Sequence, residues 1–262
     1  MRAEVTPPEV SHAADKHVRA YYRRVLPFFD RELVGRGDSD FWTGEAAKPT
    51  GCRVLELGAG TGRATALLAR AAARVVAFDL SPEMIAVARR RLEGSPNVLL
   101  LAGDMREMAL KVRFDLVVAA NDPFVHLIRD EDRNRAFEVV ARHLAPEGRF
   151  VLDAAWFPPE RRGAAGDPEG LVLERSGQAG LQVRETWHCD PVDRLCSASY
   201  EYLVQGRPVE EASFPARLWS IEELRHRARA AGLQVSLLWG DYDRRPWDRA
   251  TSPRLIAEMR LL

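Results

Sequence analysis

The sequence predicts an α/β fold whose centre is a doubly wound, mainly parallel sheet. Between residues 53 and 156, short apolar runs alternate with longer segments in which apolar residues recur at helical spacing. This alternation is typical of βαβ units, in which helices connect parallel strands and cover both faces of the sheet. In addition, the first apolar run passes through three glycines directly into a helical segment, so backbone N–H groups can approach a ligand closely there.

Seven strands are expected to form this sheet. Five of them belong to the alternating region, where each apolar run has the length of a buried strand. The last two follow a helix near the end of the chain and complete the sheet. The strands are expected at about 53–57, 74–79, 98–102, 114–120, 149–155, 234–241 and 254–261.

Capping and stop signals mark several of the helices. Ser81-Pro82 combines an N-cap residue with proline at the first helical position, and this helix runs to the stop at Gly94-Ser95-Pro96. Another helix is expected at about 130–145. The last one starts at the capping box Ser220-Ile221-Glu222-Glu223 and ends before Gly232.

Two segments lie outside this core. Residues 1–50 are expected to form an N-terminal helical cap that is rich in aromatic side chains. Residues 157–215 are expected to form an inserted antiparallel β lid. This segment starts with a loop rich in Gly and Arg, and apolar and polar residues then alternate as they do in strands. Turns between these strands are expected at Asp190-Pro191-Val192-Asp193 and Gln205-Gly206-Arg207-Pro208. The α/β core then comprises residues 51–156 and 216–262.

Composition argues against several classes of partner. The 262 residues carry 38 basic and 38 acidic side chains, so the formal net charge is zero and gives no electrostatic footprint for nucleic acid or an anionic membrane. No apolar run reaches membrane-spanning length, and the start lacks the apolar stretch of a signal peptide. We therefore expect a soluble cytoplasmic protein without nucleic-acid or membrane partners.

The cysteines and histidines are few and scattered. Cys52, Cys189 and Cys196 are odd in number and lack C-x-x-C spacing, which suits a reducing compartment and argues against a disulfide framework or a zinc site. No His, Cys or carboxylate cluster has the spacing of metal ligands, so no metal is expected.

The glycine-rich turn indicates which kind of ligand the sheet binds. Gly58, Gly60 and Gly62 form G-x-G-x-G, which differs from the G-x-G-x-x-G of dinucleotide-binding proteins. Asp79 follows Gly58 by 21 residues and ends the second strand, where a carboxylate can accept both hydroxyls of a ribose. Because a carboxylate repels phosphate, the pattern favours an uncharged nucleoside. The structural alternative is a tight turn with an incidental Asp at a helix start.

Five motifs follow one another along the predicted core. They are Glu56-Leu57-Gly58-Ala59-Gly60-Thr61-Gly62, Asp79-Leu80-Ser81-Pro82-Glu83-Met84, Gly103-Asp104-Met105-Arg106, Phe114-Asp115-Leu116-Val117-Val118 and Leu144-Ala145-Pro146-Glu147-Gly148-Arg149-Phe150. In this order they resemble the motifs of the class I S-adenosylmethionine-dependent methyltransferases. The resemblance covers roughly residues 51–156, and the tail from about 216 is similar too. It implies a Rossmann-like sheet with a final antiparallel hairpin, and S-adenosyl-L-methionine as cofactor with S-adenosyl-L-homocysteine as product.

The resemblance also implies roles for individual residues. Asp79 takes the ribose hydroxyls, Asp104 and Met105 frame the adenine, and Met84 packs on the adenine face or belongs to the core. Tyr21 or its neighbour Tyr22 could reach the cofactor, and Trp42 could cover it, although aromatic packing of the cap is the structural alternative. The expected cofactor-binding residues are Tyr21, Trp42, Glu56, Gly58, Ala59, Gly60, Gly62, Asp79, Leu80, Met84, Gly103, Asp104, Met105 and Asn121.

The turn after the fourth strand should face the methyl group, because ligands of open parallel sheets bind at the carboxyl ends of strands. Asn121 and His126 are the catalytic candidates, and His126 is the candidate general base because an unperturbed His pKa lies near 6.5. A turn residue before Pro123 and a helix-start residue are the structural alternatives. A small metabolite methylated at nitrogen or oxygen is the expected acceptor.

Two other functions stay open. The stretch from Asn121 to Phe124 partly matches the Asn-Pro-Pro-Phe/Tyr signature of enzymes that methylate a nucleic-acid base or a protein amide, but Asp122 stands where that signature has its first Pro. Alternatively, the chain could be a non-catalytic regulator that binds the cofactor. A closed acceptor pocket under the insert would favour a small metabolite. A homodimer is compatible with the sequence, which does not fix the oligomeric state.

Overall fold

The structure is a computed structural model that describes residues 13–157, 170–190 and 192–262. The first twelve residues of the predicted cap, most of the predicted loop rich in Gly and Arg, and Pro191 of the predicted turn lie outside the described residues. No helix within the described ranges is both long and apolar enough to cross a bilayer.

The described chain forms helices and strands close to the predicted positions. The helices are α1 Ala13–Glu32, α2 Ser39–Ala46, α3 Arg63–Ala69, α4 Pro82–Arg91, α5 Asp130–His143 and α6 Ile221–Ala230, with a 3₁₀ helix at Pro123–His126. The strands are β1 Arg53–Leu57, β2 Arg74–Asp79, β3 Val98–Ala102, β4 Phe114–Ala119, β5 Leu144–Ala155, β6 Leu171–Ser176, β7 Leu181–Cys189, β8 Leu195–Val204, β9 Arg207–Arg217, β10 Leu233–Trp239 and β11 Arg254–Leu261.

The central sheet confirms the predicted fold class. Its seven strands lie in the order β10-β11-β5-β4-β1-β2-β3, and the five strands from β1 to β5 pair in parallel. β11 runs antiparallel to both β5 and β10, which gives the expected terminal hairpin. The chain order reverses between β1 and β4, and this reversal opens a crevice at the carboxyl ends of these two strands.

Apolar side chains cover both faces of this sheet. On β1, Val54 packs with Trp42 of α2 and Leu68 of α3, whereas Leu55 faces the opposite core with Phe137 of α5. Successive side chains of a strand point to opposite faces, so a strand covered by helices on both sides is mostly apolar. The central position of β1 accounts for its apolar residues, and one buried carboxyl group near its end is the exception.

Helix starts follow the predicted capping. The Ser81 hydroxyl accepts a hydrogen bond from the Met84 N–H at 3.2 Å, and the Ser220 hydroxyl accepts one from the Glu223 N–H at 3.0 Å. The helix expected to reach about 145 instead ends at His143. β5 begins at Leu144, which pairs with Phe114 before an irregularity in the register precedes regular pairing from Arg149.

The inserted strands form a separate antiparallel sheet in the order β6-β7-β8-β9. Burial alternates along β7, so Trp187 faces inward and His188 is exposed. The buried face of this sheet packs against α1, where Tyr21 and Val25 join its apolar core. The insert is therefore anchored to the N-terminal helix.

The cysteine prediction is wrong for two of the three residues. Cys189 and Cys196 lie opposite each other in the register of β7 and β8 and form a disulfide, with their Cα atoms 4.0 Å apart. Their spacing looked uninformative because the hairpin, and not a short motif, brings them together. Cys52 is a buried free thiol. Cysteine usage consequently no longer argues for a reducing compartment.

Candidate functional site

The glycine turn after β1 lies directly against the turn after β4. Gly58 has a positive φ of 75°, and a Cβ built on it would lie 2.4 Å from Cβ of Pro123. Only glycine tolerates both this backbone conformation and this approach without strain. The contact brings the predicted cofactor turn and the predicted acceptor turn together at the crevice.

Asp79, at the end of β2, is fixed by two backbone donors. Its Oδ2 accepts a hydrogen bond from the Gly60 N–H at 2.7 Å, and its Oδ1 accepts one from the Ser81 N–H at 2.8 Å. Burial raises the pKa of this carboxyl above its ordinary value, although the two N–H groups oppose that rise. Each oxygen keeps a further lone pair, so the carboxylate can accept hydrogen bonds from a vicinal diol.

Glu56 is a second buried carboxyl group at the crevice. Its Oε2 accepts a hydrogen bond from the Thr65 hydroxyl at 2.6 Å, and burial raises its pKa to about 7. A carboxyl group with this pKa gains a proton readily unless a cation binds nearby. Glu56 is thus suited to hold the ammonium group of a ligand.

A cleft of about 1030 Å³ extends from the glycine turn across the ends of β1, β2 and β3. It brings together most of the residues expected at the cofactor, and the two catalytic candidates lie along it as well. The predicted residues that line this cleft are Glu56, Gly58, Ala59, Gly60, Asp79, Leu80, Met84, Gly103, Asp104, Met105, Asn121 and His126.

Three of the predicted cofactor residues do not line this cleft. The indole of Trp42 is fully buried among Phe41 and Tyr242 in the sheet core, so it cannot cover a ligand. The ring of Tyr21 packs on the insert instead of the cleft. A Cβ at Gly62 would lie 3.0 Å from Cβ of Ala88, so close packing of α3 on α4 accounts for this glycine.

Asp104 lines the cleft but is already engaged. Its carboxylate accepts hydrogen bonds from the backbone N–H of Arg106 at 2.8 Å and from the Arg106 guanidinium at 2.9 and 3.0 Å. Arg106 also pairs with Asp132 at 3.1 Å. Asp104, which was expected to accept a hydrogen bond from the adenine amino group, is therefore also bound to a guanidinium. Arg106 itself lines the cleft, although no role was expected for it from the sequence.

The turn after β4 has an unusual backbone. Asn121 and Asp122 have positive φ angles of 62° and 53°, which non-glycine residues adopt at a cost. β5 holds them there: the Asn121 N–H donates to the Asp153 carboxylate at 3.0 Å, and Asp122 Oδ2 accepts from the Ala155 N–H at 2.8 Å. A strained backbone that several contacts hold in place is characteristic of functional turns.

His126 meets the N-terminal helix at the edge of the cleft. Its Nε2 lies 2.7 Å from the hydroxyl oxygen of Tyr22. Burial lowers the His126 pKa to about 4, so the expected value near 6.5 does not hold in this environment. The ring is neutral at pH 7, and its Nδ1 has no hydrogen-bond partner among the described residues.

Tyr22, and not Tyr21, is therefore the tyrosine that reaches the cleft. A sequence signal existed for this choice, because Val18, Tyr22 and Phe29 share one face of α1 and all line the cleft. We expected Tyr21 at the cofactor with Tyr22 as the alternative, because the sequence does not show which face of the helix meets the glycine turn.

A second cleft, of about 950 Å³, adjoins the first. Tyr22, Asn121 and His126 line both clefts, so the two spaces meet at these residues. Aromatic rings from α1 and the insert form much of the wall of the second cleft. Its aromatic lining consists of Tyr21, Tyr22, Phe29, Trp156, Phe157, Trp187, Tyr200 and Phe214.

Ionic side chains also line the second cleft, and most of them are paired. Arg254 binds Asp153 at 2.7 Å, and Arg175 binds Glu185 at 2.7 Å. None of these four residues was expected at the site, because their approach depends on how the insert and β11 pack. Within the described ranges, no group of three or more His, Cys, Asp or Glu side chains is arranged to hold a metal ion.

Comparisons with known proteins agree with this geometry. A family model described as a methyltransferase domain matches residues 54–148. The chain is 30% identical over 218 residues to a cypemycin N-terminal methyltransferase of a Streptomyces species, covering 82% of this chain and 86% of the relative. It is 29% identical to the dTDP-3-amino-3,6-dideoxy-alpha-D-glucopyranose N,N-dimethyltransferase of Streptomyces fradiae, covering 80% of this chain and 84% of that relative.

The solved structure of an S-adenosylmethionine-bound amino pentose methyltransferase from Micromonospora echinaspora aligns with a TM-score of 0.68 at 27% identity, covering 90% of this chain and 96% of that one. The chain belongs to the class I S-adenosylmethionine-dependent methyltransferases.

Proposed function

We propose that this enzyme transfers the methyl group of S-adenosylmethionine to a nitrogen of a small amine held in the second cleft. The observation that carries the proposal is the junction of the two clefts at Tyr22, Asn121 and His126. The names of the relatives support nitrogen as the target, since they describe methyltransferases that act on a peptide N-terminus and on amino sugars.

The first cleft fits the cofactor. S-adenosylmethionine, when bound, supplies an electrophilic methyl group on a sulfonium whose sulfur is the leaving group. The fixed carboxylate of Asp79 would hold the ribose hydroxyls, and Glu56 would hold the ammonium of the methionine part. Met84 and Met105 supply apolar surface for the adenine. A side chain at Gly58 would strike Pro123 and narrow the passage between the clefts.

The chain contributes alignment and exclusion of water. Methyl transfer needs a nucleophile about 3 Å from the carbon and in line with the leaving group, which a rigid pocket can enforce. Tyr22 fixes the neutral imidazole of His126 at the junction. We propose that His126 and Asn121 orient the acceptor nitrogen there, while the aromatic wall of the second cleft excludes water.

A small acceptor is favoured over a macromolecule. Residues of the insert, including Leu173, Trp187 and Phe214, form one wall of the second cleft and so limit the room beside the turn after β4. The formal net charge of zero gives no general attraction for nucleic acid. A non-catalytic role is disfavoured because Asp79 and the glycine turn are intact.

We also propose a division into three units. Residues 1–50 would form the cap, 51–156 and 216–262 the cofactor-binding core, and 157–215 the lid. Apolar packing between α1 and the insert supports a cap and a lid that adjoin each other beside the second cleft. A cytoplasmic location and a homodimer stay predictions from sequence.

The test uses methyl-labelled cofactor and matched acceptors. We expect label in 3-amino-3-deoxy-D-glucose or in a peptide with a free N-terminus, and none in D-glucose, in an N-acetylated peptide or in RNA. The control is Asp79→Ala, which should weaken cofactor binding tenfold or more, because a charged hydrogen-bond partner is worth about 1.5–3 kcal/mol. Label in a hydroxyl group or in RNA, with none in either amine, would refute amine methylation.

A further inference from the structure

We propose that Asp122 is a catalytic residue whose free carboxylate oxygen binds the acceptor's ammonium in the second cleft and takes the proton that the nitrogen must lose before methylation. Because the second cleft is the acceptor site of the proposed function, this assignment rests on that function. It goes beyond that function because it names the group that accepts the proton and the charge state in which the acceptor arrives.

The position of Asp122 is fixed and buried. Its relative exposure is 7%, and it lines the second cleft next to Asn121, which lines both clefts. Its Oδ2 is held by the Ala155 N–H at 2.8 Å. Its Oδ1 has no hydrogen-bond partner among the described residues. A buried acceptor atom without a partner costs free energy, which a donor on the ligand can recover.

Glu32 of α1 also lines this cleft and has an oxygen, Oε2, without a hydrogen-bond partner, but it is only half-buried, and Arg175 and Arg36 favour its ionised form. The two remaining carboxylates have close ion-pair partners. Glu185 accepts hydrogen bonds from Trp187 and Tyr200 and pairs with Arg175. Asp153 pairs with Arg254. Asp122 has no ion-pair partner in the part of the chain that the structure describes. A cation from the acceptor can therefore occupy a place that no described arginine fills.

Several ionisable groups surround Asp122. Arg133 on α5 favours its ionised form, whereas Asp153 on β5 disfavours it. Tyr22 on α1 also interacts with it, and the phenol of Tyr22 stays protonated because burial raises its pKa. His126 follows in the same turn and is neutral. Arg133 is itself bound to Glu223 and to the Leu127 carbonyl, so it is not available to neutralise Asp122 directly.

Proton affinity supports the same assignment. Burial raises the Asp122 pKa to about 7, whereas burial lowers the His126 pKa to about 4. A proton acceptor works best when its pKa lies near the working pH. Of Asp122 and His126, Asp122 has the pKa that better matches neutral pH, and His126 is left with orientation of the acceptor.

The proposed step balances without a further reactant. One N–H bond of the acceptor ammonium breaks, its electron pair stays on nitrogen, and the proton bonds to Asp122 Oδ1. The nitrogen lone pair then forms the bond to the methyl carbon, while the electron pair of the carbon–sulfur bond leaves with sulfur. The methylated product is an ammonium ion, and the neutral Asp122 carboxyl group returns its proton to solvent when the product leaves.

The test compares Asp122→Asn with Asp115→Asn, which removes a carboxylate from the other end of β4. Asp115 pairs with Arg53 away from both clefts. Single-turnover methylation of 3-amino-3-deoxy-D-glucose should fall by roughly 10²–10⁴-fold in Asp122→Asn and stay within about twofold in Asp115→Asn. Asp122→Ala serves as a second variant, because it removes the carboxylate without adding amide donors.

A readout apart from turnover is thermal unfolding against pH. A buried carboxyl whose pKa is raised on folding destabilises the protein above that pKa, so Asp122→Asn should raise Tm at pH 8 and change it little at pH 4. Calorimetry with S-adenosylhomocysteine should give an unchanged affinity. Amine methylation by the wild type together with wild-type rates in both Asp122 variants would overturn the assignment. Absence of amine methylation in the wild type would instead overturn the proposed function, and this assignment with it.

Discussion

The hydroxyl oxygen of Tyr22 lies 2.7 Å from Nε2 of His126, and this hydrogen bond joins the N-terminal helix to the turn after β4. The two residues are 104 positions apart, and both line the junction of the clefts. Burial raises the Tyr22 pKa and lowers the His126 pKa, so both partners are neutral at pH 7. The position of the N-terminal helix and the orientation of the imidazole are therefore linked through this hydrogen bond.

Removal of this hydrogen bond should slow catalysis without weakening the cofactor complex. A neutral hydrogen bond contributes about 0.5–1.5 kcal/mol, so Tyr22→Phe should reduce the single-turnover rate with an amine acceptor by up to about tenfold. Cofactor affinity, measured by calorimetry, should stay within about twofold. His126→Ala should reduce the rate at least as much. Full rates in both variants would mean that alignment by the pocket walls alone suffices.

The contact of Gly58 with Pro123 predicts a large difference between two glycine substitutions. Gly58→Ala introduces a methyl group 2.4 Å from Cβ of Pro123 in a residue with positive φ. Gly51 has a similar φ of 78°, but a Cβ there would meet nothing within 4 Å. Gly51→Ala should therefore lower the free energy of unfolding by about 1–2 kcal/mol, which is the cost of a positive φ in a residue with a Cβ atom. Gly58→Ala should lower it by about 1–3 kcal/mol more, because its methyl group also overlaps Pro123.

Urea unfolding of the two variants measures that difference, and calorimetry with S-adenosylhomocysteine adds a second comparison. Gly51→Ala should bind the product like the wild type, while Gly58→Ala should bind it more weakly because Gly58 lines the cleft. Equal unfolding free energies in the two variants would contradict the close approach of the two turns.

Local patterns predicted the sheet and the glycine turn after β1 well. The strands of the α/β core are signalled by apolar runs, and the starts of α4 and α6 by capping serines. Glycine spacing and Asp79 likewise lie within one short stretch of chain, so their relative placement follows from a single βαβ unit. Sequence reasoning succeeds where the contacts that define a feature are local.

The acceptor side depends on contacts between distant segments, and the sequence predicted little of it. Tyr22 reaches His126 across 104 residues, and Arg254 reaches Asp153 across 101. Trp42 and Tyr21 were expected at the cofactor because they are aromatic and near the start, yet packing with Tyr242 and Phe214 removes them from the first cleft. Neither choice could be made from periodicity alone.

The disulfide between Cys189 and Cys196 gives a simple chemical prediction. Protein that is denatured without reductant should show one reactive thiol per chain, from Cys52, and full reduction should raise the count to three. Closing a loop this short is worth about 2–3 kcal/mol in the chain-entropy account, so reduction should also lower the unfolding free energy of the insert. Three thiols in unreduced protein would show that the pair is open in solution.

The pKa of Glu56 predicts how cofactor binding depends on pH. Burial raises this pKa to about 7 in the free protein, and an ammonium group beside Glu56 would favour the ionised carboxylate. Binding should therefore expel a proton below pH 7. Affinity for S-adenosylhomocysteine should rise with pH up to about 7 and then level off, with binding about tenfold weaker at pH 6 than at pH 8.

Other groups near Glu56 could contribute to that dependence, so a variant must separate them. Arg63 keeps its charge throughout this range, whereas the Asp79 pKa is also raised. In Glu56→Gln, affinity should be lower at pH 8 and nearly independent of pH between 6 and 8. Calorimetry in buffers of different ionisation enthalpy should show proton release at pH 6 in the wild type and almost none in the variant. Equal proton release in both proteins would move the pH dependence to Asp79 and remove Glu56 from the ammonium site.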